Sequence, residues 1–323
     1  MKTTHWLLIA ALVLVVGYGV HFLWGWYGPG PLAHEVPFIV SEGSGMVSVA
    51  QELETEGAIA SASTFRARAR LLGHSGGLKA GEFMIPAHAS GAQILAILQG
   101  TEGVMRRLFT VPEGTPSVMV LEKLMAQPML TGKVDLPAEG SILPQTYDYQ
   151  RGEARAALVA RMQRAMTRTL AELWAKRSPR TVAKTPQEAV ILASIVEKET
   201  GKPGERRMVA GLYSNRLRIG MKLQADPTII YPITQGRPLG RRIRESEIHA
   251  VNDYNTYSMV GLPKGPITNP SRESIAAVLN PADTHALYMV ADGSKGHAFA
   301  DTLEQHNANV AKWFAIRRAK GEM

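Results

Sequence analysis

The stretch TPQEAVILASIVEKET, residues 185–200, sets one carboxylate among the apolar side chains of a helix, and the rest of the chain is read outward from it. Thr185 and Glu188 form a T-x-x-E capping box, and Pro186 takes the first helical position, where a missing N–H costs nothing. Gly201 and Pro203 close the element. At about 100° per residue, Ile191, Leu192, Ile195 and Val196 share one side, and Glu199 projects among them. Glu197 points almost the opposite way, beside Val190, Ala193 and Ser194. A carboxyl held against apolar surface loses hydration, so its pKa rises and it can keep a proton near neutrality, as a general acid must. The other reading open here is a helix end that dips one Glu toward the core and pairs it with an Arg.

Upstream, WLLIAALVLVVGYGVHFLWGWY at 6–27 matches the ~20 apolar residues a membrane-spanning helix needs. Trp6, Trp24, Trp26 and Tyr27 stand at its ends, where amphipathic rings favour the interface. The run is longer than the apolar core of a cleaved signal peptide, and no clear A-x-A site follows it. An uncleaved signal anchor is therefore expected, with a tail at 1–5 inside and the remainder outside the cytoplasm.

The 323 residues are 45% hydrophobic and 20% charged, which suits a globular protein of about two domains. A formal net charge of +8 fits anionic lipid headgroups, nucleic acid or a carboxylate-bearing polymer. With no RNP-type aromatic motif, zinc-finger spacing or Walker loop, nucleic acid is not expected as a partner. The chain has no cysteine, which excludes disulfides, thiol nucleophiles and thiolate metal sites.

Gly28-Pro29-Gly30-Pro31 opens a linker at 28–35. From 36 to 112 the pattern predicts strand, helix, helix, strand and a third helix, a small α+β module of the kind that binds rather than catalyses. Residues 113–180 form a connecting region. Its stretch TGKVDLPAEGSILPQTYDYQRG is broken by prolines and glycines and is read as irregular, with Leu143, Tyr147 and Tyr149 packed down. The run from 153 to about 176 predicts a long, mainly solvated basic helix. After the Glu199 helix come a helix at 205–219 capped by Gly220, the polar loop 224–228, and irregular backbone across 252–270. A strand at 286–291, the strand HAFA and a terminal helix complete the chain.

The blocks ASIVEKET, SNRLRIGMKLQADPTIIY, YNTY, GLPKGPITNP and LYMVADGSKGHAFADTLEQHN, in that order, resemble the MltG (YceG-like) endolytic murein transglycosylases. FIVSEGSG, LKAGEF, VPEGT and EGSILPQTY are similar to the amino-terminal half of the same family. The resemblance implies an α+β fold with an N-terminal transmembrane helix, a small LysM-like α+β module and a mixed α/β catalytic domain at 181–323. It implies a lyase that cleaves peptidoglycan strands between N-acetylmuramic acid and N-acetylglucosamine to leave 1,6-anhydromuramic ends, terminating nascent glycan strands. Localisation is then the cell inner membrane, single-pass, with the catalytic domain in the periplasm and peptidoglycan synthases as further partners. No cofactor is implied.

The family's catalytic glutamate falls on the second Glu of E-K-E, Glu199, the residue the helical wheel also picks out. Because the sugar's own C6 hydroxyl attacks C1, one carboxylate can serve as acid and then base. Asp226 is the candidate second carboxylate of an ordinary glycosidase and is given a positioning role, since Asp-Pro-Thr favours a turn or cap. Gln224, Asn255, Tyr257 and His297 are expected to bind substrate, and Tyr254 to pack under its loop. Asn269 is expected to brace a turn and His306 the last helix; neither histidine has metal-ligand spacing. Where family members commonly carry Ser or Thr this chain has Ala225, and where they carry Asp it has Gln145, which changes local bracing. A non-catalytic peptidoglycan-binding scaffold that recruits synthases, and a hydrolase using Glu199 with Asp226, are the competing readings.

Overall fold

A computed structural model describes residues 2–41, 43–73, 76–100, 105 and 107–321. The chain divides into two units, Met1–Arg107 and Leu108–Met323. The fold is mixed α and β, led by one apolar helix.

In the first unit, helix α1 (Lys2–Tyr27) carries a segment, Leu8–Tyr27, long and apolar enough to cross a membrane. Most of its described Leu, Val and Ile side chains are exposed. Trp26 departs from the expected interfacial belt: it is only 2% exposed. Its ring centroid lies 5.6 Å from that of Phe65, inside a core with Leu32, Phe38, Leu53 and Phe83. Gly91 makes room for the indole, since a Cβ there would come within 2.9 Å of the Trp26 ring. Strand β1 (Val36–Val40) is followed by α2 (Met46–Thr55) and α3 (Ala62–Leu72), then by β2 (Gly81–Ile85) and α4 (Gly91–Gln99). The strands pair antiparallel with Phe38 opposite Phe83. A two-stranded ribbon is marginal alone; here the apolar sides of α2, α3 and α4 cover it.

Strand β3 (Arg107–Thr110), all but its first residue in the second unit, is followed there by α5 (Ser117–Met125) and β4 (Thr146–Tyr149). Strand β4 corrects the irregular reading of 131–152: it pairs with β3, and the Val111 N–H donates to the Gln145 carbonyl at 3.0 Å. Tyr147 and Tyr149 alternate inward against Phe109 and Val111, a period-two signal hidden by the flanking prolines and glycines. Helix α6 (Arg155–Ala175) is likewise less solvated than its charge suggests. Leu158, Val159, Met162 and Met166 are buried, and the Arg155 guanidinium donates to the carbonyls of Leu124, Gln127 and Gly132, closing the end of α5.

Helix α7 (Pro186–Glu199) follows, then a short 3-10 turn (Pro203–Glu205), α8 (Arg206–Arg218), α9 (Pro227–Thr234) and α10 (Glu245–Ile248). After irregular backbone come α11 (Arg272–Leu279), the antiparallel hairpin β5 (Tyr288–Ala291) and β6 (His297–Ala300), and α12 (Leu303–Ala319). Gly220, at φ +69°, ends α8 in a Schellman motif: Met221 N–H donates to the Arg216 carbonyl at 2.8 Å.

Helix α7 is the hub, packed by α6, α8, α9 and α11. Every residue from Ala189 to Val196 is buried, so the one-sided wheel is corrected to a helix covered all round. Each fully buried Ile or Leu there contributes about 1.5–3 kcal/mol. The inward-dipping, Arg-paired glutamate is also present, but it is Glu197. Its Oε1 lies 3.6 Å from Arg206, and its Oε2 accepts from the Ser271 N–H and hydroxyl at the start of α11.

Candidate active site

Glu199 is the last helical residue of α7, where the capped Thr185 end is 14 residues behind it and the helix carbonyls gather. Its side chain is half-buried. Burial pushes its carboxyl up to about 7, from an ordinary 4.5. The Tyr213 hydroxyl, hydrogen-bonded to it, pulls the other way; the negative charge of Asp226 adds to the rise, and the Arg216 guanidinium opposes it. The negative end of the helix dipole works in the same direction as burial. Glu199 therefore divides between acid and carboxylate near neutrality, with a donor and a cation ready to hold the charged form.

Tyr213 and Arg216 reach this point because they sit three residues apart on α8 and share a face. Tyr213 is only 2% exposed. Arg216 is buried too, and its guanidinium donates to the Leu287 carbonyl at 2.7 Å and the Leu223 carbonyl at 2.6 Å. It thereby ties the start of β5 to the loop that carries Asp226.

That loop is latched to the segment 255–257. The Ala225 N–H donates to Thr256 Oγ1 at 3.0 Å, and the hydroxyls of Thr228 and Thr256 lie 2.9 Å apart. Gln224 is held at φ +53°, a left-handed backbone that costs a non-glycine residue of order 1–3 kcal/mol. Its N–H donates to the Thr256 carbonyl at 3.2 Å. The Tyr257 hydroxyl donates to Asp226 Oδ1 at 2.6 Å, holding an exposed carboxylate in place beside Glu199.

The YceG-like family model matches residues 38–312. The chain belongs to the YceG-like family. It is 34% identical over 180 residues to an endolytic murein transglycosylase of Streptococcus pneumoniae serotype 2, covering 54% of this chain and 32% of that protein. It is 27% identical over 184 residues to an endolytic murein transglycosylase of Bacillus subtilis, covering 57% of this chain and 50% of that one. The matched part thus spans about a third to a half of these relatives. A crystal structure of a yceG-like protein from Listeria monocytogenes shares the fold, with a TM-score of 0.54 at 23% identity over 85% of this chain and 98% of that one.

Within this YceG-like chain the expected site residues separate into two groups. Glu199, Asp226 and Tyr257 come together, and Gln224 stands exposed on the same loop. Asn255 does not join them. It is 0% exposed, its amide donates to the carbonyls of Ile248 and Ala250, and its oxygen accepts from the Tyr257 N–H. No polar group of Asn255 is left for a sugar, so its substrate-binding assignment is corrected to a brace that shapes the Tyr257 loop. His297 is tied to Glu205: its Nδ1 lies 2.8 Å from Oε2, and its backbone N–H donates to Oε1 at 3.1 Å. Burial works to raise Glu205, but hydrogen bonds from His297 and from Thr200 outweigh it and hold the carboxyl below its usual range. His297 is therefore linked to Thr200, the chain neighbour of Glu199, through Glu205.

Tyr254 packs on Tyr231 with ring centroids 4.9 Å apart, and His306 stacks on Tyr288 at 5.2 Å. Asn269 braces more widely than one turn, donating to the Thr115 carbonyl and accepting from the Ile142 N–H, each at 3.0 Å. Glu139 is another carboxyl raised by burial, but the Ser117 N–H and hydroxyl engage it in capping α5. Among the described residues no group of three His, Asp or Glu side chains gathers to hold a metal ion. Tyr213, Arg216, Thr256 and Glu205 were not singled out from the sequence. The i, i+3 spacing of Tyr213 and Arg216, on a helix side shared with Val209, is the signal that could have found the first two.

Proposed function

We propose that this protein is a membrane-anchored endolytic transglycosylase of peptidoglycan, cleaving between N-acetylmuramic acid and N-acetylglucosamine and leaving a 1,6-anhydromuramic end. The observation that carries the reading is the Glu199 carboxyl, pushed to about 7 and backed by Tyr213 and Arg216. As a neutral acid Glu199 donates its proton to the glycosidic oxygen while the C1–O bond breaks. The negative charge of Asp226 stabilises the oxocarbenium character growing at C1. The C6 hydroxyl of the same sugar then bonds to C1 and gives its proton to the Glu199 carboxylate, which restores the acid without consuming water.

The names of the relatives support murein as the substrate. The basic balance of the chain suits strands that carry carboxylates. Trp26 and Leu32 are part of the first unit's core, which supports α1 as a retained anchor rather than a removed leader. In this reading the protein spans the inner membrane once, residues 181–323 work in the periplasm, and residues 36–112 serve as a LysM-like glycan-contacting module. Ending nascent strands would place it beside peptidoglycan synthases.

A second reading, hydrolysis, rests on the electrostatic coupling of Asp226 to Glu199, which a two-carboxylate glycosidase also needs. Mass spectrometry of the strands cut by the full chain in detergent separates the two. Anhydromuramic ends support the transglycosylase, reducing ends the hydrolase, and binding without new ends the scaffold.

A further inference from the structure

Lys198 directly precedes Glu199 in the chain and leaves α7 in a different direction, and what it enters is a cleft. The cleft has a volume of about 400 Å³, within the range of small-ligand sites. Its walls are mostly apolar, with Met119, Ile230, Leu239 and Ile267 among them, and Pro227, the residue after Asp226, forms part of its edge. The aliphatic stem of Lys198 runs past Gly114, whose φ is +65°. A Cβ built on that glycine would meet Lys198 Cδ at 3.7 Å, an ordinary packing distance, so the stem lies directly alongside the turn, and it is the positive φ that calls for glycine there.

The charges in the cleft are unequal. Arg237 is committed: its guanidinium pairs with Glu122 and donates to the Thr234 carbonyl. Lys198 has no carboxylate partner among the described residues. The cleft therefore offers one unspent positive charge above apolar walls. That combination matches one carboxylate of a short peptide whose neighbouring atoms are apolar. A diphosphate asks for several donors and no apolar wall.

We infer that this cleft is the subsite for the peptide stem of the muramic sugar whose bond is cut, and that Lys198 pairs with a carboxylate of that stem. The inference rests on the transglycosylase reading above and adds to it a selectivity for strands that still carry peptide. The chemistry of the sugar makes the placement reasonable: the lactyl arm that bears the peptide leaves the same ring whose C1 and C6 react. A group bound at Glu199 by its ring must send its peptide into an adjoining space.

The test uses the full chain in detergent. Uncross-linked glycan strands are offered with their stems, with the stem carboxylates chemically amidated, and after an amidase has removed the stems. Both cleavage by the wild type and binding to Glu199→Gln are measured. The expected result is a preference of about tenfold or more for the unmodified stems. In Lys198→Gln that preference falls toward one, and in Lys198→Arg it is retained. Equal handling of all three strands by the wild type overturns the inference, as does a Lys198→Gln effect that lowers every strand alike. Competition by inorganic pyrophosphate stronger than by free stem peptide also overturns it. If the wild type cuts nothing, the transglycosylase reading fails, while the binding arm still decides whether the cleft takes the stem.

Discussion

Tyr213, its ring sealed in the core of the second unit, hydrogen-bonds through its phenol to the carboxyl of Glu199. The bond favours the carboxylate and so opposes the burial that lifts Glu199 to about 7. Tyr213→Phe removes it. A charge-assisted bond of about 1.5–3 kcal/mol corresponds to roughly one or two pKa units. In the variant the alkaline fall of the cleavage rate should move upward in pH by about that much, with a lower maximum because the carboxylate is less well held in the second half of the reaction. An unmoved alkaline limb counts against the pairing.

Glu199 also gives the fold a pH dependence whose sign is opposite to that of an ion-paired carboxylate. Its folded pKa of about 7 lies above the ordinary 4.5, so the folded chain binds more protons than the unfolded one between those values. Stability contributed here is complete below about pH 4.5 and is lost as pH rises toward and through 7. The loss is at most roughly 3 kcal/mol. Glu199→Gln should then be close to neutral for stability at pH 4 and stabilising by about 1–3 kcal/mol at pH 8. Urea unfolding at the two pH values checks this, and an equal effect at both would remove the basis for a raised pKa.

Asp226 acts on Glu199 through its charge, and Tyr257 holds it in place. Asp226→Asn keeps the shape and removes the charge. The pKa of Glu199 should drop, moving the alkaline limb to lower pH, and the maximal rate should fall about 100-fold with loss of electrostatic stabilisation. The chain ends formed by the residual activity should stay anhydromuramic. A switch in end type on losing Asp226 would mean that it had been directing water or a covalent step.

How far this was legible in the sequence varies residue by residue. Glu199 could be picked out because a carboxylate among Ile191, Leu192, Ile195 and Val196 is unusual whichever way the helix turns. The helix is in fact covered on all sides, and its opposite face holds the paired Glu197. The order of elements in the first unit follows from periodicity, yet the burial of Trp26 does not, because a tryptophan at the end of a long apolar helix suits interface and core equally. Strand β4 was hidden by neighbouring prolines and glycines, and the buried stripe of α6 by its arginines. Tyr213 and Arg216 lie fourteen and seventeen residues beyond Glu199, and only the packing of α8 on α7 brings them to it. A hydrogen-bonding side chain within a family-like block suggests that Asn255 binds sugar; its burial depends on the loop folding back over it.

Asn255 supplies a contrast that separates shape from chemistry. Asn255→Ala leaves the carbonyls of Ile248 and Ala250 without their donor and frees the Tyr257 N–H. A cost of about 1–3 kcal/mol in unfolding free energy is expected. The pH position of the alkaline limb should stay where it is in the wild type, since no charge near Glu199 changes. A shifted limb at unchanged stability would give Asn255 a direct part in the site.

In the proposed mechanism one residue, Glu199, donates and then recovers the proton that cuts the strand. The most direct measurement incubates the full chain and its Glu199→Gln variant, both in detergent, with purified peptidoglycan and identifies the new strand ends by mass spectrometry. A single acid/base at Glu199 requires 1,6-anhydromuramic ends from the wild type and none above background from a variant that remains folded and still binds glycan. Anhydromuramic ends formed at a comparable rate by Glu199→Gln would contradict it and place the proton transfer on another group.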